Sequence, residues 1–389
     1  MNYHILVQDK FFDSYIDDFY EIGEEKNNIF LFRGNKGDND YIKTTHPVEY
    51  LGHDAQSIKK RLHSIPPQDN IFIHWYDMFI GDIVYDLPNK LFVSLMGGDF
   101  YADPIECNLD FLYDKQTLKS VYRLNKHLRS FHLRRNVFRI FANWINREKI
   151  IQRKYDLKHK HISRIDYILC LAEGKSELKF IKKKYPNFKA THLSFNFNQN
   201  FDETISIKKE KNNSSTTIKI LLGNSSDPSN NHLDAFKILQ KLNIPVEIYS
   251  PISYGDIRYR DTIINKGKKF FGEHFHPITD FMTRKEYIEF IDSVDLMMMY
   301  HNRSQAVGNI NIALTLGKAV FLKKNNSIFD FYCKLGIKCY DVHKITNLNL
   351  DKIIKEQKKS MEHNLLILNN VNSKERRLND LKKILYEYC

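Results

Sequence analysis

At 389 residues the chain exceeds what one hydrophobic core ordinarily organises, which sets two domains as the expectation. With 42% hydrophobic and 27% charged residues it is not a disordered chain, and five scattered cysteines without a CxxC pair speak against a disulfide framework or a thiolate metal site. The net charge of +12 is confined: residues 119–164 carry fourteen Lys/Arg against only Glu148 and Asp156, an excess equal to that of the whole chain.

The first residues, MNYHILVQDK, lack a basic start followed by a long apolar core, so no signal peptide is expected. No run reaches the roughly 18 apolar residues of a membrane span, and the expectation is a cytoplasmic protein.

Apolar runs at Tyr3–Val7, Asn28–Phe32, Asn70–His74, Lys90–Leu95 and Tyr167–Leu171 read as strands, with helical patterns between them such as Ser176–Lys184. Strands alternating with helices imply a mostly parallel α/β sheet. Residues 206–217, SIKKEKNNSSTT, read as a linker. A second series follows: IKILLG at 218–223, a helix near 231–242, VEIYS at 246–250, a helical stretch near 261–269, VDLMMMY at 294–300, a helix opening near Asn309, and AVFL at 319–322. The expected domains are therefore 1–205, including the basic segment, and 218–350, with a helical tail at 351–389. The fold class is α/β, with two Rossmann-like domains facing across a cleft that opens at the C-terminal ends of the strands.

Those strand ends carry the chemistry. LLGNSSDPSNNH (221–232) combines Gly223 for a sharp turn with short polar side chains, Asn224 and Ser225 to Asn230, Asn231 and His232, before a helix start whose N–H groups attract anions. An ordinary N-capped turn is an equal reading of that loop alone. YSPISYG (249–255) offers Tyr249 and Tyr254 to stack on a base or sugar, or to cover a core edge. The stretch HNRSQAVGN (301–309) is the most specific. Arg303 presents a forked guanidinium for a phosphate, His301, Asn302, Gln305 and Asn309 add polar groups, and Gly308 admits a tight entry to a helix whose first N–H groups lie near Asn309. In the first half, LFVSLMGGDFYAD runs from a strand into Gly97 and Gly98, followed by Asp99, a candidate base for an acceptor hydroxyl, and Tyr101. His74, ending IFIH, is a second candidate there.

GNSSDPSNNH, PISYG and RSQAVGNINIALTLGKAVFL, in that order, together with GGDFY at 97–101 and DYILCLAEGKSELKFIKKKYP at 166–186, resemble the bacterial TDP-N-acetylfucosamine:lipid II N-acetylfucosaminyltransferases (4-acetamido-4,6-dideoxygalactose transferases). The resemblance implies a GT-B type glycosyltransferase of surface polysaccharide synthesis. It implies a dTDP-sugar donor on the second domain, a polyprenyl-diphosphate-linked saccharide acceptor on the first, no metal or other cofactor, and action as a peripheral protein at the cytoplasmic face of the inner membrane. Gly97, Gly98, Tyr101 and His74 would touch the acceptor. Asp99 would be the base of an inverting reaction, or would orient the acceptor in a retaining one. Arg303 would assist the departing diphosphate. The region 105–165 departs from the family in length and basicity, which leaves the acceptor open among common antigen, capsule and O-antigen units. A sugar-nucleotide 2-epimerase on the same fold and a non-enzymatic basic adaptor are the alternatives.

The basic segment intersperses Val121, Leu124, Leu128, Phe131, Phe138, Phe141, Trp144 and Ile145 among its cations at near-helical spacing. That pattern suits an anionic membrane surface or a solvated basic helix. Without a recognised nucleic-acid motif, nucleic acid is not an expected partner.

Overall fold

The computed structural model describes residues 1–9, 11–97, 100, 112–125, 156–170, 175–195 and 217–389. They form two compact units, each built on one all-parallel sheet.

The first unit holds β1 (Asn2–Leu6), β2 (Asn28–Phe32), β3 (Glu49–Tyr50), β4 (Asn70–His74), β5 (Leu91–Ser94), β6 (Tyr167–Cys170) and β7 (Thr191–Ser194). Their spatial order is β3-β2-β1-β4-β5-β6-β7, so the chain runs outward one way from β1 and then the other way from β4. A crevice forms at such a reversal, at the C-terminal strand ends. The interior strands are buried on both faces, which is why NIFIH and LFVS are nearly continuous apolar runs.

The second unit holds β8 (Ile218–Leu222), β9 (Val246–Pro251), β10 (Phe275–Ile278), β11 (Leu296–Met299), β12 (Ala319–Leu322) and β13 (Tyr340–Asp341), ordered β10-β9-β8-β11-β12-β13. Its reversal lies between β8 and β11. Alternate residues serve opposite layers: Leu296 and Met298 pack with Ile220, Leu222 and Phe321, whereas Met297 and Met299 pack with Leu221, Val320 and Leu322.

The units do not follow the boundaries drawn from the sequence. Residues 112–125, which lie within the expected first domain, belong to the second unit. The helical tail divides as well. Helices Leu350–Lys359 and Met361–Asn372 stay with the second unit, and helix Lys374–Glu387 joins the first. The linker, apart from Thr217, lies outside the described residues.

That last helix is held by a buried fork. Arg377 donates from Nε to Asp18 Oδ2 at 2.7 Å and from Nη2 to Asp18 Oδ1 at 2.9 Å, while Leu381, Ile384 and Leu385 enter the core beside Phe12 and Phe19. Burial pushes the Asp18 carboxyl above the usual range even with the guanidinium beside it. Removing one partner would strand the other charge. Arg377→Met should therefore cost about 3–5 kcal/mol in urea unfolding, and Asp18→Leu combined with it should recover most of that loss.

The aromatic core of the first unit encloses two histidines. His4 donates from Nε2 to Asn28 Oδ1 and accepts at Nδ1 from the Tyr15 hydroxyl, each at 2.9 Å. His74 has no exposed surface and packs edge-on against Tyr15 (4.8 Å between centroids) and Phe12 (5.2 Å). It is a core residue with no surface to offer an acceptor, because β4 is an interior strand buried on both faces. Burial lowers the His4 pKa to about 3 and that of His74 well below its ordinary value. The unfolded chain protonates these rings near 6.5 and the folded one only far lower, so between those values the unfolded state binds more protons. Stability should therefore fall as the pH drops below 6.5, by about 1.4 kcal/mol per pH unit for each such histidine. His74→Phe should flatten a plot of unfolding free energy against pH by about that slope.

Candidate active site

At the C-terminal ends of β8 and β11, two loops are laced together. Gly223 follows β8 at φ +72, and a Cβ there would lie 2.6 Å from His232 Nε2 and 3.0 Å from Asn230 Oδ1, so only glycine fits. A short turn, Pro228–Asn230, then leads through Asn231 at φ +53 into helix His232–Leu239. From the other loop, Gln305 Oε1 accepts from Ser229 Oγ at 2.7 Å, and Gln305 Nε2 donates to Asn224 Oδ1 at 3.3 Å. Asn224 Nδ2 donates in turn to the Tyr254 hydroxyl at 3.0 Å, and Ser226 bonds the Tyr254 carbonyl. Tyr254 itself remains more than half exposed.

Beneath these loops lie Asn230, Asn231, His232 and His301, all without exposed surface. Asn230 Oδ1 takes the Asn224 backbone N–H at 2.9 Å, which fixes that atom as an acceptor; His301, 2.8 Å away, must donate to it from Nε2. Burial lowers the His232 pKa to about 3 and that of His301 well below its ordinary value, the Arg303 charge adding to the latter. Both imidazoles are neutral at physiological pH. They shape the loops from below rather than line a surface, as does Ser225, which accepts from Asn230 Nδ2 at 3.1 Å.

The segment expected to hold an anion is partly buried at its rim. Arg303 Nη1 donates to the Ser304 carbonyl at 2.9 Å, and the loop is pinned by Asn326, whose Nδ2 donates to the carbonyls of His301 and Arg303. The helix spans Val307–Thr315 and follows Ala306, held at φ +57, with no side chain capping it. Its first internal bond is Ile310 N–H to Ala306. The N–H groups of Val307, Gly308 and Asn309 therefore have no partner among the described residues. They begin two residues earlier than the sequence placed them, because Ala306 already makes the left-handed entry. The Asn309 side chain is turned away, donating to the Tyr287 hydroxyl at 3.2 Å. Tyr249 belongs to β9 rather than to its loop: its ring stacks on His276 at 4.6 Å and meets Phe290 edge-on.

In the first unit, Gly97 follows β5 at φ +94. Gly98, Asp99 and Tyr101 lie outside the described residues.

A family model described as 4-alpha-L-fucosyltransferase, glycosyl transferase group 56, matches residues 151–374, more than half of the chain. The chain belongs to this family. It is a glycosyltransferase, as the resemblance read from its loops implied. Solved structures agree on the fold. An alpha,alpha-trehalose-phosphate synthase (UDP-forming) from Burkholderia vietnamiensis matches with TM-score 0.59 at 11% identity, over 99% of this chain and 98% of that one. Sucrose-phosphate synthase from Thermosynechococcus elongatus matches with TM-score 0.60 at 8% identity, over 99% and 98%. A trehalose-6-phosphate structure from E. coli, bound with UDP-2-fluoro glucose, matches with TM-score 0.57 at 10% identity, over 99% of each chain. The fold is GT-B.

This group 56 glycosyltransferase adds something to the strand ends that its sequence order hid. Helix Lys115–Leu124 packs on the second unit, and Asp234 caps it by accepting from the N–H groups of Gln116 (2.9 Å) and Thr117 (2.8 Å). Asp114, freed from capping its own helix, receives Lys323 Nζ at 2.6 Å and Asn302 Nδ2 at 2.9 Å. Lys323 follows β12, is 3% exposed, also reaches Asn302 Oδ1 at 2.7 Å, and sits 3.9 Å from the centre of the Tyr300 ring. Burial lowers its pKa despite the Asp114 carboxylate. Sequence reasoning could have singled out Lys323 as a cation at a strand's C-terminal end. No local signal pairs it with a residue 209 positions earlier.

The described part of the basic segment is divided as well. Val121 is buried in the second unit, and Leu124 packs on its core. In the first unit, Lys158 is buried, Lys160 lies 3.7 Å over the Tyr85 ring, and Arg164 donates to the carbonyls of Leu87 and Asn89. Residues 126–155 lie outside the described residues.

Asp234→Ala would leave two N–H groups of the 115–124 helix without their acceptor. The expected loss is about 1–2 kcal/mol in denaturant unfolding. Amide hydrogen exchange should accelerate in residues 115–124, a local change that a general loss of stability would not confine there.

Proposed function

We propose that this glycosyltransferase moves an N-acetylfucosamine-like deoxyamino sugar from a dTDP-sugar to a polyprenyl-diphosphate-linked saccharide during bacterial surface polysaccharide synthesis. The family description, a fucosyl transferase, supports a 6-deoxyhexose as the group transferred. The observation that carries the donor reading is the uncapped start of helix Val307–Thr315, with three unpartnered N–H groups two residues beyond Gln305 and adjacent to the Arg303 loop. Aligned N–H groups with a guanidinium nearby hold a diphosphate without its hydration shell and stabilise the charge that develops as it leaves. Tyr254, exposed and fixed through Asn224, is the aromatic surface available to the base. The two buried histidines, neutral at pH 7, add no competing charge.

In this reading Asp99 takes the acceptor proton if the anomeric centre inverts. No metal takes part, since the helix start and Arg303 supply the charge that a cation would otherwise bring. The enzyme works at the cytoplasmic face of the inner membrane, and any membrane contact falls to residues 126–155, because the described apolar residues of the basic segment are used in packing.

A thermal-shift panel of dTDP, UDP, GDP and CMP tests the donor. At a hundred times its dissociation constant the right nucleotide should add about 2.7 kcal/mol of stability, and dTDP should give the largest shift. Arg303→Ala should weaken that protection and cost about 2–4 kcal/mol of barrier in a transfer assay. Protection by none of the four, or an Arg303→Ala rate within threefold of wild type, removes this loop from the donor site.

A further inference from the structure

The first unit ends its strands with a feature that the reading above does not use. Immediately after His74, Trp75 holds φ +79, in the left-handed region where a bulky side chain is strained. The Asp77 N–H bonds back to the Trp75 carbonyl at 3.2 Å, closing a tight turn. The neighbours on each side are buried, and Tyr76 spends its hydroxyl on the His161 carbonyl at 3.1 Å. The Trp75 indole is only half-buried, and it has neither a hydrogen bond nor a ring contact among the described residues.

Two further loops reach the same place, from β1, which flanks the reversal of the sheet, and from its neighbour β2. Arg33, after β2, pairs through Nη2 with Asp77 Oδ2 at 2.8 Å and lies 5.7 Å from the centre of the Phe79 ring. Its Nη1 is buried without a hydrogen-bond partner among the described residues. Gln8, after β1, fixes the loop that carries Arg33 by donating from Nε2 to the carbonyls of Arg33 and Asn35, each at 3.0 Å. Asp77 Oδ1 is engaged by the Ile80 N–H at 3.0 Å, which holds the carboxylate in place. An aromatic ring without a partner, a guanidinium with an unused N–H and a fixed carboxylate thus meet at the C-terminal ends of β1, β2 and β4.

We infer that Trp75, flanked by Arg33 and Asp77, is the platform on which the first unit seats a pyranose ring of the saccharide acceptor, a step that rests on the glycosyl-transfer reading above. The C–H face of a pyranose covers an indole, while its ring substituents meet the planar donors of Arg33 and the Asp77 carboxylate. Backbone strain of this kind persists where the surrounding structure enforces it, and it is concentrated at sites that hold ligands. A ring needed only for packing gains nothing from a strained backbone.

The strain makes the test specific. Glycine adopts φ +79 freely, so Trp75→Gly should melt at or above the wild-type temperature and keep its protection by nucleotide. Binding of octyl β-D-N-acetylglucosaminide or octyl β-D-glucuronide, followed by saturation-transfer NMR on the full chain, should weaken about tenfold or more in this variant. In a Trp144→Phe background Trp75 is the only tryptophan left of two, and its emission should change saturably with at least one of these glycosides but not with octanol. Arg33→Ala should weaken that response.

The inference is overturned by emission that ignores both glycosides or answers to dTDP instead, by Trp75→Gly binding them as wild type does, or by a lowered melting temperature with affinity unchanged. Wild-type protein protected by nucleotide but failing these arms sinks this inference alone. The loss of nucleotide protection in the wild type sinks the transfer reading.

Discussion

Both units depend on the same constraint. A parallel sheet begun at a central strand, built outward in one direction and then resumed on the other side of that strand, must leave two adjacent loops running to opposite faces. In the first unit the reversal separates β1 from β4, and in the second it separates β8 from β11. Every chemically distinctive loop described here starts from a strand at or next to one of those reversals. The packing that fixes the sheets, with buried side chains alternating between two layers, is therefore also what brings together the loops that bind.

Strain marks the same places. Three non-glycine residues among those described hold positive φ: Trp75 after β4, Asn231 before the helix that follows β8, and Ala306 before the helix that follows β11. Each allows the chain to turn sharply at a strand end. At Asn231 and Ala306 the turn delivers a helix start without a side-chain cap, and at Trp75 it leaves a half-buried aromatic ring with no hydrogen bond or ring contact among the described residues. The cost of each is met by buried neighbours: Asn231 by bonds to the Leu112 and Tyr300 carbonyls, and Trp75 by the core residues on either side.

The second unit is completed by residues from elsewhere in the chain. Asp114 neutralises Lys323 beside the strand ends, and Asp234 caps the helix that carries it, so the charge near the β11 loop is set jointly by three distant segments. The first unit is completed likewise by the last helix, through Arg377 and Asp18. Two exchanges of this kind make each unit a composite of early and late sequence.

The sequence by itself determined the interior of both sheets. NIFIH, LFVS, IKILL, LMMM and AVFL are buried on both faces, and such strands must be apolar at nearly every position, so they stand out as runs. It also marked the polar loops at their ends, but not that Asn230, Asn231, His232 and His301 would be buried beneath those loops and hold them in shape. It did not reveal β3, β7, β10 and β13, the four sheet edges, because an edge strand needs only a few apolar residues and tolerates the proline in FHPI. Nor did it reveal that His74 is a core ring and Trp75 the accessible one. His74 is the last residue of a strand buried on both faces, whereas Trp75 begins the turn that leaves the sheet, and only the tertiary structure decides where the strand stops. The pairs Asp114–Lys323 and Asp18–Arg377 belong to the same class. A buried charge is stable only beside its partner, and that partner is supplied by the folding of the whole chain, not by its neighbours in sequence.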